Sequence, residues 1–98
     1  MKSIGLIEVS GVVAAVDCLD IMCKSADVEL VTWERKLGGR LVTVVVEGDI
    51  SAVTAAVESA IAGAIVAPCA HAVIASPHEE VQRLLEISAS RIKNKAGK

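Results

Sequence analysis

Residues 28–48, VELVTWERKLGGRLVTVVVEG, decide the fold of this chain. Two runs rich in Val, Leu, Thr or Trp flank a short loop at Leu37, Gly38 and Gly39. A glycine pair between two such runs predicts a β-hairpin at the centre of the fold. The second arm, Leu41 to Val46, carries apolar side chains at both odd and even positions, so both of its faces are apolar. Such a strand is covered on both sides, and the covers can be the domain's own helices and another copy of the protein.

The composition predicts one small domain that associates with itself. The chain has 98 residues, of which 53% are hydrophobic and 22% charged, with neither Phe nor Tyr. Its mean hydropathy is +0.57. That is more apolar material than a monomer of this size hides comfortably, so we expect an oligomer. We treat residues 1–98 as one domain and expect a frayed tail from about residue 93.

Charge and patterning exclude several classes of partner. A net charge of -2 with interspersed signs argues against nucleic acid. The run 59–76 lacks charged residues, but Pro68 and His71 interrupt it, so we expect no membrane span. Glu8 interrupts the first apolar run too early for a secretory signal, and we expect a protein of the reducing cytoplasm. His71 is expected to be a structural or interface histidine.

The sequence offers no cofactor site and no catalytic constellation. Cys18, Cys23 and Cys69 have neither metal-ligand nor disulfide-framework spacing, and each is expected to be a small buried hydrophobe. No nucleophile, acid–base pair or metal cluster is recognisable, so we expect no catalytic residue, no metal and no enzyme activity.

The order of elements predicts a ferredoxin-like fold. A first strand at Ser3–Val9 leads into a helix from Val12, and after the hairpin a helix from Asp49 precedes a strand at Ala70–Ala75 and a C-terminal helix. This is the α+β split βαβ arrangement: a four-stranded antiparallel sheet with two main helices on one face. The C-terminal helix is expected at an edge or on that same face.

Helix starts and helix faces can also be predicted from the residue pattern. Ser10 and Asp49 are the expected N-caps of the first two helices, and Ser76 opens a capping box with Pro77 and Glu79 before the third. The expected buried stripes contain the large aliphatic residues. They are Val12, Val16, Leu19 and Met22 or Cys23 in the first helix, Ile50, Val53, Val57, Ala60, Ile61 and Ala64 in the second, and Val81, Leu84, Leu85 and Ser88 in the third.

The residues also carry a family resemblance. The opening Gly-Leu-Ile-Glu from Gly5, the helix ending Met22-x-Lys24-x-Ala26, the Leu-Val-Thr-Val strand from Leu41 and the Gly-Asp-Ile turn from Gly48 agree in type and order. Over residues 4 to 81 the chain resembles the single-domain, hexamer-forming shell proteins of bacterial microcompartments. No single motif is specific, but the combination is.

The resemblance implies an assembly and its site residues. Members of that family form flat cyclic hexamers that tile into the facets of a cytoplasmic protein shell, which encloses an enzyme pathway. Leu37, Gly38, Gly39 and Arg40 would line a central pore for small polar or anionic metabolites. Lys24, Ser76 and His78 would lie at the hexamer edge. The implied partners are further copies of the chain, other shell proteins and encapsulated enzymes.

Three departures from the family pattern accompany the resemblance. The loop between Glu34 and Leu41 is one residue longer than usual. Ala75-Ser76-Pro77-His78 replaces the common Pro-Arg-Pro-His, so Ser76 stands where an arginine ordinarily joins the edge contact. The segment from Asp49 to His78 is about two residues shorter than is common.

A metabolite-sensing regulatory domain is the alternative, because it would share the fold and the tendency to oligomerise while binding a ligand between subunits. Ligand-dependent calorimetry would favour the sensor, and extended sheets or tubes in electron micrographs would favour the shell protein.

Overall fold

The computed structural model describes residues 2–35 and 40–96, with side chains as far as Ile92. Four strands and three helices follow one another along these residues. They are β1 (Ser3–Ser10), α1 (Val12–Ser25), β2 (Glu29–Arg35), β3 (Leu41–Gly48), α2 (Ile50–Gly63), β4 (Ala70–Ile74) and α3 (Glu79–Ala96). The predicted element order is therefore confirmed.

The four strands form one antiparallel sheet in the order β2-β3-β1-β4. This is the ferredoxin-like order, and it confirms both the fold class and the pairing of the two hairpin arms. The hairpin is central only through β3, because β2 is an edge strand. Pairing between β2 and β3 shifts at Val31: Leu30 lies opposite Val46 and Thr32 opposite Val45. The edge strand thus contains a bulge of one residue.

The main core lies between the sheet and the pair α1 and α2. Val42, Val44 and Val46 of β3 point into it, as the alternation along that strand predicts. Small residues let the helices sit close to the sheet. A Cβ built on Gly5 of β1 would lie 2.7 Å from Val53 Cγ1 on α2.

The predicted helix faces are partly wrong. In α1 the buried residues are Ala14, Ala15, Cys18 and Met22, and in α2 they are Val53, Ala56, Val57 and Ala60. Predicted stripe members Val12, Val16, Ile50, Ile61 and Leu84 are exposed, as is Cys23. The small residues of each helix therefore pack on the sheet, and several of its large aliphatic residues face outward.

α3 lies on the opposite face of the sheet, which corrects the expected position at an edge or beside the other helices. Leu85 of α3 forms a second, smaller core with Ile4 and Val45. Ser88 lies in hydrogen-bond contact with β2, since its Oγ is 2.6 Å from Thr32 Oγ1 and also donates to the Glu34 carboxylate. Part of the second apolar face of β3 is thus covered within the same chain.

The helix caps differ from those expected at two of three places. Gly11 rather than Ser10 is the N-cap of α1, with a φ of 100° that favours glycine. Asp49 is the N-cap of α2 as predicted, although its side chain makes no capping hydrogen bond.

The predicted capping box at the start of α3 is wrong. The helix begins at Glu79, three residues after Ser76, and His78 Nδ1 accepts a hydrogen bond of 3.0 Å from the Glu80 backbone N–H. An imidazole nitrogen therefore does what a serine hydroxyl was expected to do.

Candidate functional site

The structure sorts the predicted site residues to two opposite ends of the sheet. At one end, Ser10 pairs with Leu41 and the Gly11 backbone N–H donates a 2.7 Å hydrogen bond to the Arg40 carbonyl oxygen. Arg40 therefore stands where the hairpin loop meets the start of α1, and its side chain is exposed. The other predicted pore residues, Leu37, Gly38 and Gly39, lie outside the described residues.

The predicted edge residues share the other end. Ser3 pairs with Gly48, and its hydroxyl donates a 2.6 Å hydrogen bond to the Ala75 carbonyl oxygen. This places Ser76 and His78, which follow Ala75, beside the turn that begins α2. The C-terminal end of α1 reaches the same end, because the Asp27 carbonyl oxygen packs against Gly48. The structure thus brings Lys24, Ser76 and His78 to one end of the sheet and Arg40 to the other.

Lys24 forms an ion pair with a neighbour on its own helix. Its Nζ lies 3.0 Å from Asp20 Oδ2, four residues earlier, with the lysine side chain 76% exposed. The predicted i,i+4 pair is confirmed, and in this exposed position it contributes only a few tenths of a kcal/mol, about 0.3. The ammonium group therefore remains largely open to solvent.

Large aliphatic side chains are exposed on both flanks of the domain. The flank at α1 and β2 carries an apolar cleft of about 110 Å³ lined by Val16, Leu19, Leu30 and Trp33. The flank at α2 and β4 exposes the side chains of Ile61, Ile65, Val66, Val73 and Ile74.

The backbone of one of these exposed residues, Ile65, is hydrogen-bonded to α1. The Ile65 side chain is 81% exposed, while its backbone N–H donates a 2.9 Å hydrogen bond to Asp17 Oδ2. This bond ties the Ile65 backbone to α1, while the side chain itself stays in solvent. The residue pattern does not mark these side chains as a surface, since large aliphatic residues at helical spacing, such as Val16 and Ile61, predict core positions.

The cysteines are not organised for chemistry. Cys18 is buried as expected, whereas Cys23 and Cys69 are exposed, contrary to expectation. Burial raises the pKa of the Cys18 thiol, and the Asp17 carboxylate raises it further. Partial desolvation of the thiol, and then the Asp20 carboxylate, likewise raise the pKa of Cys23, although the residue as a whole is exposed. Both thiols therefore favour the protonated, weakly nucleophilic form at neutral pH.

Two further features belong to the described part of the chain. It contains no cluster of His, Cys, Asp and Glu that could hold a metal ion. Within the same residues, no helix is long and apolar enough to cross a bilayer. His71 lies exposed on the edge strand β4, opposite Ile7.

Exposed aliphatic flanks on a small domain are typical of proteins that associate through those surfaces. Comparison with known families matches residues 3–77 to the BMC domain. The chain therefore belongs to the BMC domain family.

Its relatives include the bacterial microcompartment shell protein PduA of Salmonella typhimurium, 42% identical over 86 residues that cover 86% of this chain and 90% of PduA. The carboxysome shell protein CcmK2 of Synechococcus elongatus is 41% identical over 91 residues, covering 87% of this chain and 86% of CcmK2.

Among solved structures, a microcompartment protein from Desulfitobacterium hafniense superimposes with a TM-score of 0.75 at 25% identity. The match covers 90% of this chain and 48% of the other. The family assignment and the place of the protein in a microcompartment shell, both expected from the resemblance, are confirmed by the sequence matches. They favour the shell protein over the regulatory domain.

Proposed function

We propose that the chain forms a cyclic hexamer that tiles edge to edge into a shell facet, with a pore for small polar or anionic metabolites on the six-fold axis. The observation that carries the assembly is the pair of unlike aliphatic flanks on one subunit. A surface that matches a different surface of the next copy makes a heterologous contact, and such contacts close into rings when the rotation between copies allows it. The number six comes from the family resemblance.

The two ends of the sheet support the orientation of the subunit in such a ring. Arg40 and the hairpin loop are at one end, so they would face the axis, while Lys24, Ser76 and His78 at the opposite end would face the next hexamer. The separation follows from the register, because β1 runs from the Ser3 end to the Ser10 end without interruption.

The charge at the inner end supports a preference for anions. Arg40 is exposed there, and the N-terminal, positive end of α1 begins at the adjacent Gly11. Six copies around an axis would sum these fields, which raises the local concentration of small anions relative to cations. Gly38 and Gly39, which lie outside the described residues, are proposed as pore residues on the family resemblance alone.

Sedimentation velocity tests the assembly. A subunit of 10.1 kDa predicts a species of about 60 kDa, six times that mass, at micromolar concentration. Ile65→Asp, which places a charge on the α2 and β4 flank, should dissociate it. Leu84→Asp is the control, since Leu84 is exposed on α3 beside Leu85, over the middle of the sheet. A wild-type protein that sediments as a clean monomer would contradict the proposal.

The role in a facet is tested separately. Electron microscopy of concentrated protein, alone and together with a second shell protein, should show sheets or tubes with a hexagonal lattice. Encapsulated enzymes are the further expected partners, and co-purification with intact shells is the corresponding measurement.

A further inference from the structure

The C-terminal helix α3 runs across the sheet towards the β2 edge. It follows β4 in the chain, contributes Leu85 to the cluster with Ile4 of β1 and Val45 of β3, and then contacts Thr32 of β2 through Ser88. Leu85 thus lies over β1 and β3, and Ser88, three residues later, lies against β2, the strand at that edge. The helix therefore reaches that edge at Ser88.

α3 does not stop there. It continues to Ala96, and eight further residues extend a helix by about 12 Å at 1.5 Å per residue. Among the described residues β2 is the last strand on that side. The end of α3, which includes the exposed Arg91, therefore projects beyond the sheet of its own subunit.

The described residues leave the other half of the same face open. A shallow groove of about 230 Å³ lies over β1 and β4, lined by Leu6, Glu8, Thr43, Ala70 and Ala72. These residues share the α3 face, because Glu8 alternates with the core residue Ile7 along β1. Glu8 is half-buried in the groove, and its Oε1 is 4.0 Å from Cys69 Sγ.

We infer that the projecting end of α3 of one subunit covers this groove on the next subunit, with Arg91 beside Glu8 of that neighbour. The inference rests on the proposed ring, in which the β2 edge of one copy faces the β4 edge of the next. Three observations select a second copy as the occupant. The helix end and the groove lie on the same face, the helix projects from the edge that meets the groove, and their charges are opposite.

Charge reversal tests the pairing. Arg91→Glu and Glu8→Lys, each alone, should lower the hexamer-to-monomer ratio at fixed protein concentration about tenfold or more, because six contacts change in every ring. The double variant Arg91→Glu with Glu8→Lys should recover most of the loss. Glu86→Lys is the control, since it reverses an exposed charge on α3 outside the groove. Native mass spectrometry measures the ratio, and circular dichroism verifies that each variant folds.

The outcomes separate the pairing from the ring itself. Hexamers that withstand both single reversals would overturn the pairing and leave the ring intact. Single losses without recovery in the double variant would also overturn it, as expected if Arg91 instead pairs with Glu34 of its own chain. A monomeric wild type would remove the proposed ring and this inference together.

Discussion

Removing the Ser88 hydroxyl should destabilise the domain through its hydrogen-bond partner Thr32, which is not itself substituted. Ser88 Oγ donates to the Glu34 carboxylate, so the 2.6 Å contact with Thr32 is one in which Thr32 donates. Thr32 is 1% exposed. Ser88→Ala therefore leaves a buried hydroxyl without its acceptor, and the free energy of unfolding should fall by about 1 to 3 kcal/mol.

A double-mutant cycle isolates the free-energy cost of leaving the Thr32 hydroxyl without its acceptor. Thr32→Val removes the buried donor while Ser88 keeps its bond to Glu34, so the single cost should be about 1 kcal/mol or less. Once Thr32 is valine, Ser88→Ala strands no buried group, and the double variant should cost less than the two singles together by about 1 kcal/mol.

Guanidinium denaturation measures each free energy. All variants must be compared at one protein concentration, because the stability of an oligomer depends on concentration. Ser90→Ala, an exposed serine on the same helix, should change stability by less than about 0.5 kcal/mol. Strictly additive single effects, or a neutral Ser88→Ala, would refute the hydrogen-bond chain that joins α3 to β2.

The remaining predictions concern the shell surfaces. Lys24→Ala should leave hexamers intact in sedimentation while reducing sheets in electron micrographs; unchanged sheets would make Lys24 a simple surface charge. Ser76→Arg should increase sheet formation and change stability by less than about 0.5 kcal/mol, since Ser76 precedes the cap, whereas His78→Ala should cost about 0.5 to 2 kcal/mol in thermal denaturation. If the wild-type protein forms robust sheets, Ser76 does not weaken the contact between hexamers. Arg40→Glu should reverse charge selectivity in single-pore conductance, and indifferent selectivity would place Arg40 outside the pore.

The order of elements could be predicted because backbone signals are local. Strands and helices are specified by the Val-rich arms around the glycine pair and by the residue pattern at each turn. These signals act in the same way whether the chain folds alone or in an assembly. They depend on neighbours in sequence. The roles of Lys24 and Arg40 came instead from the family resemblance, and nothing in the local pattern placed them at opposite ends of the sheet.

The buried helix faces could not be predicted in the same way. Assigning Val12 and Val16 to the core assumes that the largest aliphatic residues are buried within one chain. Here Ala14 and Ala15 pack on the sheet, because small side chains allow a helix to approach it closely. In an oligomer, part of the hydrophobic burial takes place between subunits, so size alone does not identify the inner face.

The position and start of α3 depended on contacts distant in sequence. Val45 is paired with Leu85 across forty residues, which periodicity within α3 does not reveal. At the start of the helix, Ser76 matched the capping pattern, but the backbone becomes helical at Glu79, where the His78 imidazole is the acceptor. A residue type that ranks low among N-caps therefore satisfied the helix end.

The one-residue bulge in β2 has a consequence for how large structures grow from this domain. An exposed, regular edge strand invites another strand to add to it through backbone hydrogen bonds, and repeated addition leads to fibrils. With Val31 displaced from the pairing pattern, β2 offers a poor template for such addition. At this edge, association through side-chain contacts is therefore favoured over strand addition. In the proposed facet, the bulge thus disfavours fibril growth from the β2 edge.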